Sequence, residues 1–194
     1  MKRVLMASLL GLCSAGAAAV EPVYDYASIG YSQADIDNSD GFQPSGVKIF
    51  ASKALTDHIF LNGSFSRLSD DVDAFDLDFD EASLGVGYRY GLTSSTDVYG
   101  TLSYEYVKLT AKIGSRSESI DDNGYGLTAG VRTMLTRSFE LRGAVKFIDV
   151  DEGSDTGVSV AADYFFTDQF ALGAEASIGD GVNTYGVNLR YNFF

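Results

Sequence analysis

The chain has 194 residues, with 27 acidic and 14 basic side chains, and its formal net charge at pH 7 is −13. A chain of this length suits one domain. Its acidity argues against nucleic acid as a partner, because phosphate backbones bind basic surfaces.

The first 19 residues are typical of a secretory signal peptide. Lys2 and Arg3 form a short basic region, an apolar run covers residues 4–13, and Ala17 to Ala19 supply small residues before a cleavage site. The apolar run is too short to cross a bilayer as a helix. We predict cleavage after Ala19, which removes Cys13 and leaves residues 20–194 as a single domain without a disulfide.

Alternation of apolar and polar residues predicts an all-β protein. In the last stretch, Tyr185, Val187, Leu189, Tyr191 and Phe193 are separated by small or polar residues, and a period of two indicates a strand with two different faces. Similar alternation predicts ten strands in all, at residues 26–36, 46–55, 59–68, 81–91, 98–109, 123–135, 139–148, 156–166, 170–179 and 183–193.

The connections between these strands alternate in length. Four short ones contain a threonine followed by Asp, Arg or Ser, and such side chains favour tight turns by bonding to nearby backbone. The longer ones are polar and cover residues 37–45, 69–80, 110–122, 149–155 and 180–182. Short turns on one side and longer loops on the other predict antiparallel, up-and-down strands.

The composition of the two faces favours a membrane barrel over a soluble lipid carrier. The bulky apolar row suits contact with lipid, whereas the other row is mostly Gly, Ser, Ala and Thr with isolated charges, which suits a crowded lumen. Outward aromatic residues gather near both ends of the strands, as in the two girdles of membrane barrels. A closed barrel is also the way for strands to satisfy their backbone groups in lipid.

The terminal strand resembles the one that closes bacterial outer-membrane β-barrels. It ends with Tyr191, Phe193 and Phe194, and the resemblance implies that these residues are an assembly signal for the barrel assembly machinery. The chain resembles small barrels of the porin-like or opacity-adhesin type, which implies the outer membrane and contact with lipopolysaccharide. That type usually has eight strands, so eight is the alternative to the ten predicted here.

Charged residues on the inward row predict a charge network in the lumen. Its members are Lys48, Arg89, Glu105, Arg132, Glu140, Arg142, Lys146, Asp163, Glu175 and Arg190. Arg132 is expected opposite Arg142, and like charges side by side need anions between them, which Asp163 or Glu175 can supply. Phe60, Tyr99 and Phe165 point inward near the short turns and are expected to narrow that end. A charge-paired plug is favoured over a constricted pore.

Nothing in the sequence predicts an enzyme or a cofactor. The single histidine, His58, lies in a predicted periplasmic turn, and we interpret it as a turn residue. No cysteine remains after processing, and the Gly-x-Ser-x-Gly motif of serine hydrolases does not occur.

The long connections hold most of the acidic residues. Residues 35–41 look like a calcium loop, but the glycine is one place late and no bidentate Glu follows. Asp76, Asp78 and Asp80 are weak candidates for divalent cations. Three interpretations of the acidic loops remain as alternatives. They are loops that are simply solvated, an electrostatic funnel that concentrates cations, and cation bridges to lipopolysaccharide phosphates. Arg67 and Lys108 lie on the outward row. Two alternatives are open for them: they contact such phosphates directly, or they only extend their charged ends toward the lipid–water interface.

Two functions follow from these observations. The first is an outer-membrane structural or envelope component, or a narrow porin-like channel with an acidic extracellular mouth. The alternative is adhesion or signalling through the loops, where alternation of Phe75, Leu77 and Phe79 with aspartates indicates a possible strand extension above the membrane.

Overall fold

The computed structural model describes residues 20–36, 43–72, 75–113, 116–150, 153–179 and 181–193. Within these ranges the chain forms ten β-strands. In chain order they are β1 (Tyr26–Ile36), β2 (Ser45–Ala54), β3 (Ile59–Val72), β4 (Phe75–Thr93), β5 (Thr96–Ile113), β6 (Arg116–Thr136), β7 (Phe139–Val150), β8 (Gly153–Phe165), β9 (Phe170–Ile178) and β10 (Val182–Asn192).

The strands form one closed antiparallel barrel in which each strand pairs with its neighbours in sequence. The first and last strands close it, with a continuous register from Tyr26 opposite Asn192 to Ile36 opposite Val182. The predicted fold class is therefore confirmed, with ten strands rather than eight. Closure leaves no sheet edge inside the bilayer, so the backbone hydrogen bonds of the spanning part are made within the protein.

The two faces separate as the alternation predicts. Large apolar side chains such as Leu84, Tyr125 and Leu172 are exposed on the outside of the barrel, where lipid would cover them. Charged residues such as Arg132, Glu140 and Arg190 are instead buried in its interior. The core of this protein is thus the lumen, and it is polar.

Threonine side chains stabilise all four short turns between described strands. Thr56 Oγ1 accepts hydrogen bonds from the backbone N–H of His58 at 3.2 Å and of Ile59 at 2.9 Å. In the other three turns, the backbone N–H two residues after the threonine donates an equivalent bond to Oγ1 of Thr93, Thr136 or Thr167. These turns mark the end of the barrel that we assign to the periplasm, since in this architecture the short turns lie there.

Four strands continue past the opposite, extracellular end. The predicted loops at 69–80 and 110–122 are wrong in their extent, because β3, β4, β5 and β6 remain paired through most of them. The alternative strand extension around Leu77 and Phe79 describes this region better. Pairing persists here because backbone bonding and cross-strand pairs such as Lys112 with Asp78, 2.6 Å apart, do not need the bilayer.

Candidate functional site

The periplasmic half of the lumen is filled by a network of three arginines and two carboxylates. Arg132 Nη2 lies 2.6 Å from Glu140 Oε1, and Arg190 Nη1 lies 2.9 Å from Glu140 Oε2. Arg190 and Arg142 also contact Asp163 Oδ2, at 3.2 Å and 3.0 Å. The side chains of Arg190, Glu140 and Asp163 are each 0% exposed.

The strand register explains why these five residues form one network. Arg132 lies opposite Arg142 on β6 and β7, and Glu140 lies opposite Asp163 on β7 and β8. The repulsion within each pair of like charges is offset, because the arginines of one pair contact the carboxylates of the other.

Arg190 enters this network from β10, two strands away from Asp163. Its cross-strand neighbour on the intervening β9 is Ala171, which is completely buried. Because that residue is small, the guanidinium extends over β9 and bonds to Glu140 Oε2 and Asp163 Oδ2. A short side chain on β9 is therefore a condition for the network.

The residues that precede β1 complete the network from inside the barrel. We call residues 20–25 the N-terminal segment. The backbone carbonyl of Val23 accepts hydrogen bonds from Arg132 Nη2 at 2.9 Å and from Arg190 Nη2 at 3.0 Å. The ring of Tyr24 lies 4.3 Å from the Arg132 guanidinium and 4.8 Å from that of Arg89, measured to the ring centroid.

Aromatic faces and the carbonyl also offset an imbalance of charge. Three arginines face two carboxylates, so the network alone carries an excess positive charge. The ring centroid of Tyr26 lies 3.8 Å from the Arg190 guanidinium, and cation–π contact of this kind is stabilising when water is excluded. The N-terminal segment and Tyr26 therefore form the electron-rich side of the network.

The three aromatic residues predicted to narrow the lumen lie around this network. Phe60 packs on Tyr24 with ring centroids 4.7 Å apart, and Tyr99 lies 6.3 Å from Phe60. Phe165 packs with Met134 and Ala171 on the other side. Phe60 and Tyr99 lie against Gly87 and Gly130 of neighbouring strands, where a Cβ atom would overlap each ring.

The remaining predicted lumen charges form separate pairs. Lys48 contacts Glu175, and Lys146 Nζ lies 2.9 Å from Glu105 Oε1, both above the arginine network. Arg89 Nη1 lies 3.2 Å from Asp97 Oδ2 near the short turns. Asp163 and Glu175 were the alternatives expected to supply an anion near Arg132 and Arg142. Asp163 contacts Arg142, whereas Glu175 contacts Lys48 and Glu140 lies beside Arg132.

Above the network the lumen widens into a cavity of about 270 Å³. Aromatic rings, serines and threonines line it together with Lys48, Arg142 and Lys146. The lumen is therefore divided into this cavity and the buried arginine network on the side of the short turns.

Sequence reasoning missed the N-terminal segment and Tyr26. Residues 20–25 precede the first strand, so no alternation assigns them to a face. The sequence nevertheless indicated where Tyr24 points. If the alternation of β1 is continued backwards, Tyr24 falls on the same face as Tyr26, Ser28 and Gly30, which line the lumen.

The weak metal candidates lie on the extracellular extension. Asp78 contacts Lys112, and Asp80 accepts two hydrogen bonds from Arg67, at 2.5 Å and 2.8 Å. The side chain of Asp76 lies outside the described part of the structure. Among the described residues, no group of three or more His, Cys, Asp or Glu is arranged to hold a metal ion. Arg67 is thus bonded to a carboxylate of the same chain.

The hydrogen bonds from Arg67 lower the pKa of Asp80 below its usual value of 3.8. A depressed pKa in the folded state means that the pair stabilises the extension above pH 3.8 and stops doing so as the pH falls through the lowered pKa. We expect Asp80→Asn to increase amide hydrogen exchange a few-fold in the paired residues of β3 and β4 above the bilayer. The difference from wild type should persist at pH 5 and vanish in stronger acid. Glu118→Gln, at an exposed position, is the control; equal exchange in Asp80→Asn and wild type at pH 7 would refute the role of the pair.

His58 lies in the turn between β2 and β3, stacked on Tyr88 with ring centroids 5.6 Å apart. The assembly-signal residues Tyr191 and Phe193 lie at the end of β10, with ring centroids 5.4 Å apart. Phe194 falls outside the described residues. Recognition of this strand by the barrel assembly machinery stays a prediction.

Comparisons with known proteins agree with this architecture. Among solved structures, the NanC porin has a TM-score of 0.56 at 8% identity, covering 86% of this chain and 100% of its own. Ail, the attachment invasion locus protein of Yersinia pestis, in complex with the heparin analogue sucrose octasulfate, has a TM-score of 0.51 at 18% identity, covering 87% and 97%. At these identities the likeness shows the fold alone. No curated protein matches the sequence.

The comparison with family models identifies the family as well as the fold. The model described as "Outer membrane protein beta-barrel domain" matches residues 5–166, which is most of the chain. This chain therefore belongs to the outer membrane protein beta-barrel domain family and is a small outer-membrane β-barrel protein.

Proposed function

We propose that this protein is a sealed barrel with a structural role in the outer membrane, rather than an open channel. The observation that carries the proposal is the complete burial of Arg190, Glu140 and Asp163 in the periplasmic half of the lumen. Ions pass through a membrane protein along a continuous path of water. These three side chains contact one another and have no exposure to water, so they interrupt such a path. The N-terminal segment adds backbone and a tyrosine ring to the same cross-section.

Transport through proteoliposomes tests this proposal. We expect vesicles containing the purified protein to take up potassium ions or glycerol no faster than vesicles without protein. An established general porin in parallel vesicles controls for reconstitution. Uptake that rises in proportion to the amount of barrel would favour the narrow porin-like channel, which the likeness to the NanC porin fold makes the first alternative.

Surface recognition is a second candidate function. On the described part of the extension, Ile120 is 67% exposed and Leu109 is 44% exposed. Each lies an even number of residues from the lumen-lining residues of its own strand. Both therefore project from the side of the sheet that faces the barrel axis. Leu109 lies directly opposite Ile120 on the neighbouring strand, and contiguous exposed apolar side chains mark contact sites more often than single ones do. The adhesive role in the name of Ail suggests the same use, and Leu109→Ser with Ile120→Ser should then reduce attachment of bacteria to host cells.

We also infer that the barrel is not an enzyme. His58, the single histidine, stacks on a tyrosine at the membrane-facing side of a turn. The buried carboxylates Glu140 and Asp163 are bonded to arginines and have no exposure to solvent.

A further inference from the structure

The alternation of apolar and polar residues inverts where β4 continues above the bilayer. Leu84 faces lipid, and Asp80 lies on the same face of the strand four residues earlier. Leu77 and Phe79 instead share the face of Ser83, which lines the lumen. Pairing of this part of β4 with β3 and β5 is continuous. The inversion is therefore a property of the sequence and is not caused by a bulge.

Apolar side chains form a continuous surface on the inner face of this extension, the face that looks over the barrel mouth. Phe79 lies opposite Leu109, which lies opposite Ile120 on the next strand. The adjacent inner positions of β4 and β5 are apolar as well. We call the set the apolar platform, and its residues are Leu77, Phe79, Val107, Leu109, Ala111 and Ile120. Each of the six is half-buried or exposed.

Lipid does not cover the apolar platform, because this surface lies above the bilayer and faces the barrel axis. The outward face of the same strands carries ion pairs instead, between Arg67 and Asp80 and between Lys112 and Asp78. Contiguous apolar surface in contact with water is unfavourable and marks contact sites. A partner that covers the platform therefore gains free energy.

Carboxylates lie at the margins of the platform. Glu81 and Asp122 are on its side toward the lumen, and Glu118 is on its side toward the strand tips. Glu81 accepts a hydrogen bond from Ser66 Oγ at 3.3 Å, and neither glutamate makes a salt bridge to a described side chain. Arg116 follows at the tip of the same face, with a side chain outside the described part of the structure. The margins therefore favour a partner with basic groups beside its apolar surface.

The dimensions of the platform match one face of a short helix. Phe79, Leu109 and Ile120 lie on three adjacent strands, so their row is about 10 Å long, given a strand spacing of about 4.8 Å. Residues i and i+7 of an α-helix are also about 10.5 Å apart. Lysines on both sides of the apolar stripe of such a helix come close to the marginal carboxylates. A second copy of this chain would instead bring carboxylates against carboxylates.

From these observations we propose that the apolar platform binds a cationic amphipathic helix of a partner protein or peptide. The helix crosses β4, β5 and β6, its apolar stripe covers the platform, and its basic side chains pair with Glu81 and Glu118. This proposal rests on the surface-recognition function and names the class of its partner. It does not depend on whether the lumen conducts ions.

Two synthetic peptides of opposite charge test the class of partner. Both have about 14 residues and the same leucine stripe at helical spacing, flanked by lysines in one and by glutamates in the other. Fluorescence anisotropy measures their binding to the mature protein in lipid nanodiscs, and empty nanodiscs measure binding to lipid alone. We expect saturable binding of the lysine peptide to the protein and none of the glutamate peptide. Equal binding of both peptides, or equal binding of the lysine peptide to empty nanodiscs, would overturn the proposal.

Substitutions on the platform locate the site. Leu109→Ser with Ile120→Ser should weaken binding of the lysine peptide at least about tenfold, because two exposed apolar side chains are no longer available for burial. Both residues are exposed, so the barrel should still fold. Wild-type affinity in this double variant would place the peptide elsewhere and refute the site.

A pair of charge variants separates local contact from the overall acidity of the chain. Glu81→Gln with Glu118→Gln should weaken binding about threefold at low salt, as expected for two partly solvated ion pairs. Asp121→Asn with Asp149→Asn removes the same charge from exposed positions on the outward face, beside or in register with Tyr125, and should leave the affinity unchanged. An equal loss in both double variants would show that the platform carboxylates do not contact the peptide.

Attachment of bacteria to host cells distinguishes failure of this proposal from failure of the function on which it rests. If attachment needs Leu109 and Ile120 but the lysine peptide does not bind, surface recognition stands and the cationic partner is wrong. If the peptide binds as expected but attachment is unchanged in Leu109→Ser with Ile120→Ser, the site stands and the adhesive role is wrong.

Discussion

Glu140→Gln should lower the free energy of unfolding of the barrel by about 3 kcal/mol, since breaking a buried ion pair leaves a charge without compensation. Glu140 accepts from Arg132 and from Arg190, and it is completely buried. The amide has nearly the same shape but no charge, so it leaves three arginines facing Asp163 alone. Urea titration in lipid vesicles, followed by circular dichroism, measures the change.

Glu175→Gln is the matched control for this substitution. Like Glu140, Glu175 is an inward-facing glutamate bonded to a cation. Its pair is less buried, because the side chains of Lys48 and Glu175 are 37% and 26% exposed. Lumen water therefore screens that pair, and we expect a loss below about 1 kcal/mol. If both variants lose the same stability, burial in the arginine network is not what makes Glu140 important.

Simultaneous replacement of Arg132 and Arg190 by alanine should open or destabilise the barrel. The carbonyl of Val23 then loses both of its guanidinium donors, and Glu140 loses both of its bonded partners. We expect this variant to conduct ions, in contrast to the closed lumen proposed for wild type, and to lose about 3–5 kcal/mol of stability from the unpaired carboxylate. Planar-bilayer recording and urea titration measure the two effects separately.

Arg137→Ala is the control for the double variant, because Arg137 is exposed in the turn between β6 and β7. If the double variant does not fold, a refolded chain that starts at Asp25 tests the same seal. It keeps the three arginines of the network but lacks Val23 and Tyr24, and we expect it to conduct. A closed lumen in that shortened chain would show that the N-terminal segment does not contribute to the seal.

Much of this fold could be predicted from alternation alone. A period of two assigns each residue to the lipid or lumen face and so locates the ten strands. The short turn centred on Arg137 then sets the register that places Arg132 opposite Arg142. The extended hairpins were harder to predict. Residues 110–122 are too polar to resemble a membrane strand, and strand pairing above a bilayer depends on the partner strand as much as on local sequence.

The site was harder to predict than the fold, because its contacts cross the lumen. Arg190 reaches Glu140 and Asp163 over a neighbouring strand, and its reach depends on barrel curvature and on the size of Ala171. Glu175 faces the lumen as predicted from parity, but its height places it beside Lys48. Residues 20–25 have no periodicity, so their position inside the barrel comes from tertiary contacts such as that of Tyr24 with Phe60.

The seal is tested most directly by single-channel recording of the purified wild-type protein in a planar lipid bilayer. The arginine–carboxylate network and the N-terminal segment predict no steady conductance, at most brief and small openings. Insertion must be verified in the same preparation, for example by protease protection of the reconstituted barrel. A large, steady conductance from verified wild-type barrels would contradict the sealed lumen.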